Sequence, residues 1–126
     1  MNLGEIQLFN GFNQLLGLLS LAAISSEYLT AEAYYSISNC FDGNIATLCI
    51  TADNDINPWL QIDVTGLKFD SIVVYNRNDE CGYFCSSRIG GARIALVTDD
   101  GMVKWSSTFN SVLPQYTFAI PSTTVS

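Results

Sequence analysis

Short bursts of alternation mark this chain. Residues Glu5 to Phe9, EIQLF, set polar and apolar side chains in turn, and Asn10-Gly11 closes the run as a turn. The pattern returns at Trp59-Leu60-Gln61-Ile62-Asp63-Val64. Trp59, Gln61 and Asp63 share one face there and Leu60, Ile62 and Val64 the other, which predicts a half-buried strand. Phe69 to Tyr75, FDSIVVY, and Ala92 to Thr98, ARIALVT, are β-branched runs, and Asp99-Asp100-Gly101 turns the chain after the second. Met102 to Trp105 and Tyr116 to Ile120 add two more candidates. Short strands separated by turns predict an all-β sandwich or barrel.

Two stretches break the pattern. Across residues 13–24, Leu15, Leu18, Leu19 and Ala22 fall on one face at helical spacing, which predicts a short helix weakened at Gly17. Residues 31–55, rich in Asn, Asp, Ser and Gly, predict loops with brief strands. Leu15 to Ala23, LLGLLSLAA, is too short to span a bilayer, and Glu5 stands before it where a secretory signal carries basic residues. It reads as folded structure. Pro121 begins an exit segment, and no internal repeat or linker is visible.

At 126 residues the chain suits a single domain, residues 1–126, with one core. Apolar residues make up 48% and charged ones 13%, against about 25% charged in ordinary soluble domains. Solubility then rests on Ser, Thr, Asn and Gln, as suits a secreted or assembled β-protein. The net charge of −7, with no basic stripe, repels phosphates and anionic lipid, arguing against nucleic-acid binding and membrane insertion. Histidine is absent, which removes the usual neutral-pH general base and the Ser-His-Asp triad. Asp53, Asp55, Asp63 and Asp79 could serve glycoside hydrolysis, yet nothing in the sequence pairs two of them at one cleft. A non-enzyme is the expectation.

Four cysteines, Cys40, Cys49, Cys81 and Cys85, allow three connectivities. The local pairs Cys40–Cys49 and Cys81–Cys85 are the expected ones, each closing a short loop. A four-thiolate zinc site and free buried thiols are the alternatives, although Cys-x8-Cys and Cys-x3-Cys are not zinc knuckles.

Two loops carry candidate chemistry. Asn39, Asp42 and Asn44 place hard oxygens within six residues, and Gly43 permits a bend that lets carbonyls join them, a donor set suited to calcium. The competing reading is an Asx-rich turn that satisfies its own backbone. Residues 76–92 hold Arg77 and Arg88, two of only five basic residues, together with Asp79, Glu80, Tyr83 and Phe84. Planar guanidinium groups donate to sugar hydroxyls and aromatic rings meet sugar C–H faces. Surface ion pairs worth about 0–1 kcal/mol around a stapled turn are the plainer account.

Three words now stand in order: Asn39-Cys40-Phe41-Asp42-Gly43-Asn44, then Pro58-Trp59-Leu60-Gln61-Ile62-Asp63-Val64, then IVVYNRND at 72–79 followed by SRIGGARI at 87–94. Together they resemble the discoidin, or coagulation-factor type C, domains, and most closely the fucolectin (F-type lectin) branch. The resemblance spans roughly residues 3–120. It implies an antiparallel jelly-roll β-sandwich of the galactose-binding-like kind, extracellular, holding calcium and binding a glycan or glycoprotein through loops at one end.

It also implies roles for particular residues. Asn39, Asp42 and Asn44 become calcium ligands. A Glu on the family's final strand completes that site. This chain instead begins with LGEIQLF, residues 3–9, which looks like that strand moved to the front and offers Glu5. The strand is then permuted within one chain, cut from a tandem array, or exchanged between neighbours as a route to self-assembly. For the sugar, Arg77-Asn78-Asp79 fits the family's Arg-x-Asp. Ile50 stands at the family histidine's position, and Arg88 lies nine residues after Asp79 rather than five, beyond an insertion carrying Tyr83 and Phe84. Trp59 and Trp105 are read as packing residues. The rival function is a structural subunit of an extracellular filament, coat or matrix built from the same fold.

Overall fold

The computed structural model of the chain describes residues 1–28, 35–77 and 85–121. Its strands are β1 (Asn2–Asn10), β2 (Asn13–Gln14), β3 (Ala22–Ile24), β4 (Cys49–Ile50), β5 (Leu60–Ile62), β6 (Ser71–Asn76), β7 (Arg93–Val97), β8 (Val103–Thr108) and β9 (Gln115–Ala119). Short 3-10 turns at Leu18–Leu21, Ile37–Phe41 and Cys85–Ile89 complete the described elements, with no α-helix among them. The all-β class expected from the alternation is what forms.

The apolar, β-branched SIVVYN run of β6 lies between β1 and β9 and pairs antiparallel with both. Ile6 faces Val74 and Leu8 faces Ile72 across one seam, while Val74 meets Tyr116 and Ile72 meets Phe118 across the other. Beyond β1, the two-residue β2 folds back over the Asn10-Gly11 turn and β4 pairs with Asn2 and Leu3. Two antiparallel pairs stand apart from this five-stranded sheet: β3 with β5, which are distant in sequence, and β7 with β8. All these pairings are antiparallel.

The β1 register shifts between Leu3 and Glu5, so Gly4 is an extra residue in the ladder. That slip breaks the strict period of two. Leu3, Ile6 and Leu8 thereby share the core face, and Glu5 turns to the other. A side chain at Gly4 would bring its Cβ to 2.9 Å from the Asn76 carbonyl oxygen and 3.1 Å from that of Ile45. The core continues through Ile72, Val74, Phe69, Tyr116 and Ile120. Phe109 is set edge-on to Tyr116 at 4.7 Å and to Phe118 at 5.4 Å.

Residues 13–24 correct the helix expectation. They form β2, a 3-10 turn and β3, because Gly17 sits at φ 75° ahead of the turn and Ala22–Ile24 takes strand pairing with Leu60–Ile62. The apolar stripe that helical spacing would have gathered is split. Leu18 is buried while Leu16, Leu19 and Leu21 remain exposed.

Cys40 and Cys49 are joined, both fully buried, with Cα atoms 5.5 Å apart. This bridge removes the four-thiolate zinc alternative. The expected Cys81–Cys85 pair lies outside the described residues.

Candidate functional site

The disulfide fixes one side of the Asn39–Thr47 loop against the start of β1, and the bulge at Gly4 aims Glu5 at the other. Gly43, at φ 75°, bends the chain so that its N–H donates to Glu5 Oε2 at 3.0 Å. Glu5 is 1% exposed, and its second oxygen, Oε1, is buried with no hydrogen-bond donor among the described residues. Burial, then the neighbouring Asp42 carboxylate, push the Glu5 pKa from an ordinary 4.5 up to about 7, against the pull of the Gly43 amide. Two carboxylates so placed need a proton or a cation between them.

The rest of the loop is partly self-satisfied. Asp42 Oδ1 accepts the Asn44 N–H at 2.9 Å, and Asn44 Oδ1 accepts the Ala46 N–H at 2.9 Å, the Asx turns of the competing reading. Thr47 donates its hydroxyl to Asp42 Oδ2 at 2.5 Å, while Asn39 Nδ2 donates to the Leu48 carbonyl at 2.9 Å. Glu5, Asp42 and Asn44 therefore meet around one turn, with Asn39 beside it. No group of three or more acidic, His or Cys side chains occurs among the described residues, so a cation here would draw mostly on amide and carbonyl oxygens. A hard ion with six to eight oxygen ligands is the kind such a set could hold, and the orphaned Glu5 Oε1 would be its anionic anchor. Thr47 and the Gly43 amide escaped sequence reasoning. Thr47 lies five residues after Asp42, close enough for a pattern to have included it.

Arg77 follows directly on β6. Its main-chain N–H donates to Asn76 Oδ1 at 2.8 Å, and its guanidinium reaches back to Asn2 Oδ1 at 3.1 Å, at the beginning of β1. Asn76 is itself buried and donates Nδ2 to the Leu113 carbonyl at 3.1 Å. Arg88 is exposed in the last turn of Cys85–Ile89, and with Asn2 it lines a cleft of about 1000 Å³ of mixed polar and apolar lining. Asn2 holds Arg77 by a hydrogen bond and, like Arg88, contributes to the lining of the cleft. Nothing local in the sequence signals Asn2, which is 75 residues from Arg77. Asp79, Tyr83 and Phe84 lie outside the described residues.

The tryptophans divide. Trp105 packs edge-on to Phe118 at 5.8 Å as expected, whereas Trp59, immediately before β5, is 43% exposed and borders the cleft, which corrects its reading as a packing residue. Asp55, on the neighbouring loop, accepts hydroxyls from Ser25 at 2.5 Å and Ser26 at 2.7 Å, which hold its pKa down. That places it in a structural clasp. Among the described residues no helix is long and apolar enough to cross a membrane.

No protein-family model, curated protein or solved structure matches this chain.

Proposed function

We propose that the chain is a non-catalytic extracellular carbohydrate-binding module of the discoidin and fucolectin type, folded as a jelly-roll sandwich and holding calcium. The observation that carries this reading is the meeting of Glu5 with the Asp42-Gly43 turn across 38 residues of sequence. The resemblance calls for an acidic side chain from the closing strand at that loop, and the buried Glu5 oxygen without a donor among the described residues is where a cation would be held. Glu5, Asp42, Asn44 and Asn39 are the residues to hold the ion, which supplies the positive charge that neutralises the two carboxylates.

Arg77 and Arg88 are the proposed hydroxyl donors to the sugar, with Asp79, Tyr83 and Phe84 from the same stretch of chain. The buried disulfide fits an oxidising compartment. The test is glycan-array binding in the presence of calcium, compared with Arg77→Ala. Loss of binding in the variant supports the reading, and a folded, calcium-loaded chain that binds no sugar overturns it.

A second reading, a structural subunit of an extracellular filament, coat or matrix, is favoured by one observation. Phe12 and Ile56 are fully exposed and Leu16 is 85% exposed, more bare apolar surface than a solitary module requires.

A further inference from the structure

The cleft of about 1000 Å³ follows two stretches of chain, residues 58–65 and 88–99. Arg88, one of the two proposed sugar donors, lines it. So does Asn2, whose side-chain oxygen accepts from Arg77, the other donor, at 3.1 Å. The proposed sugar site therefore lies beside the cleft. A volume at the upper end of the about 300–1,000 Å³ usual for small-molecule sites is more than one sugar ring fills.

A ligand here would be held by the walls, because Leu3, Ile6 and Ile72 beneath the cleft are already buried in the core. The charged side chains of the walls offset one another, Arg88 and Arg93 against Asp63 and Asp99, all four exposed. Such a lining favours neither an anion nor a cation, yet it offers both donors and acceptors. Main-chain groups add to them. Ser25 N–H donates to the Trp59 carbonyl at 2.9 Å and Asp63 N–H to the Leu21 carbonyl at 2.9 Å, so alternation turns the main-chain groups of Leu60 and Ile62 away from β3. Phe109 N–H donates to the Ala92 carbonyl at 2.9 Å, which by the same alternation turns those of Arg93 and Ala95 away from β8. All four of these residues line the cleft.

The chemistry that uses such walls is a neutral chain of hydroxyl groups, each of which donates and accepts. Trp59 supplies the apolar part. It is 43% exposed at the border of the cleft, where its indole gives the C–H face of a sugar ring a flat surface to rest on. We propose that the cleft extends the sugar site and takes a neutral oligosaccharide, with its terminal residue at Arg77 and Arg88 and a later ring stacked on Trp59. This inference rests on the carbohydrate reading above and adds to it the length and charge of the glycan.

Calorimetric titration with calcium present tests it, using free fucose and galactose and the neutral di- to tetrasaccharides that end in either. The expected result is that the longer sugars bind about tenfold or more tighter than the monosaccharides and quench Trp59 emission. Trp59→Ala should remove that advantage while monosaccharide affinity stays unchanged. Arg93→Ala, on the other stretch of the lining, should reduce it as well. Both positions are exposed, so the variants keep the fold. Longer sugars that bind no tighter than monosaccharides, or an advantage that survives in both variants, overturn the extension and leave the carbohydrate reading standing. Trp59→Ala that weakens monosaccharides and longer sugars alike overturns it too, as does an unstructured polypeptide that quenches Trp59 where no saccharide does. A chain that binds no saccharide of any length overturns both readings.

Discussion

Glu5 Oε2 accepts the Gly43 N–H at 3.0 Å, so a carboxylate from the first strand closes a loop that begins 34 positions later in sequence at Asn39. The partner oxygen, Oε1, is buried without a donor among the described residues. Most of the expected behaviour of this chain follows from that pair.

Calcium is expected to stabilise the chain through Glu5. At a hundredfold excess over Kd, binding to the folded state adds about 2.7 kcal/mol, a rise in Tm of roughly 8–10 °C for a domain of this size. Glu5→Gln keeps the shape and removes the anionic anchor. Thermal melts with calcium and with chelator should show the shift in the wild type and little of it in the variant.

Without metal, stability should fall as pH rises from about 4.5 to about 7. Over that window the folded chain retains on Glu5 a proton that the unfolded chain has released, because burial and Asp42 raise the folded-state pKa. The slope of stability against pH is therefore negative there. Chelated protein should melt higher near pH 5 than near pH 7.5, and Glu5→Gln should flatten the difference. An unchanged slope in the variant refutes the assignment.

Gly4→Ala is expected to destabilise by about 1–3 kcal/mol, the range for forcing extra atoms into a filled space. Both obstacles, the carbonyl oxygens of Asn76 and Ile45, are backbone atoms with little room to move. Because Gly4 is the bulge that turns Glu5 to the loop, the substitution should also weaken the calcium-dependent rise in Tm. Urea titration with and without calcium measures both effects.

Opening the Cys40–Cys49 bridge, which links residues nine apart, should remove about 2–3 kcal/mol on the chain-entropy model. The double variant Cys40→Ala/Cys49→Ala is expected to melt roughly 10 °C lower. Its calcium response should fall as well, since the bridge anchors the Asn39–Thr47 loop. Calorimetry of the variant against the oxidised parent checks this.

Strand alternation was legible wherever one face is buried and the other wet. Leu60 and Ile62 against Gln61 and Asp63 read the same way in the sequence and in the fold. The loop ligands were legible too, since Asp42, Gly43 and Asn44 lie side by side and a tight turn needs only local residues. Residues 13–24 misled because helical spacing of Leu15, Leu18, Leu19 and Ala22 is a local preference, and pairing of Ala22–Ile24 with a strand 38 residues on overrides it. Asn2 as the partner of Arg77 and the exposure of Trp59 carried no local signal.

By itself, the amino-acid sequence determined the all-β class, the positions of the turns, the Cys40–Cys49 pair as the favoured bridge and the loop richest in hard oxygens, because each depends on neighbours along the chain. Tertiary structure alone decided that β1 lies inside the sheet and that Glu5 is buried on the loop side of a one-residue bulge. Those outcomes depend on register between distant strands, where a shift of one residue exchanges the buried face for the exposed one.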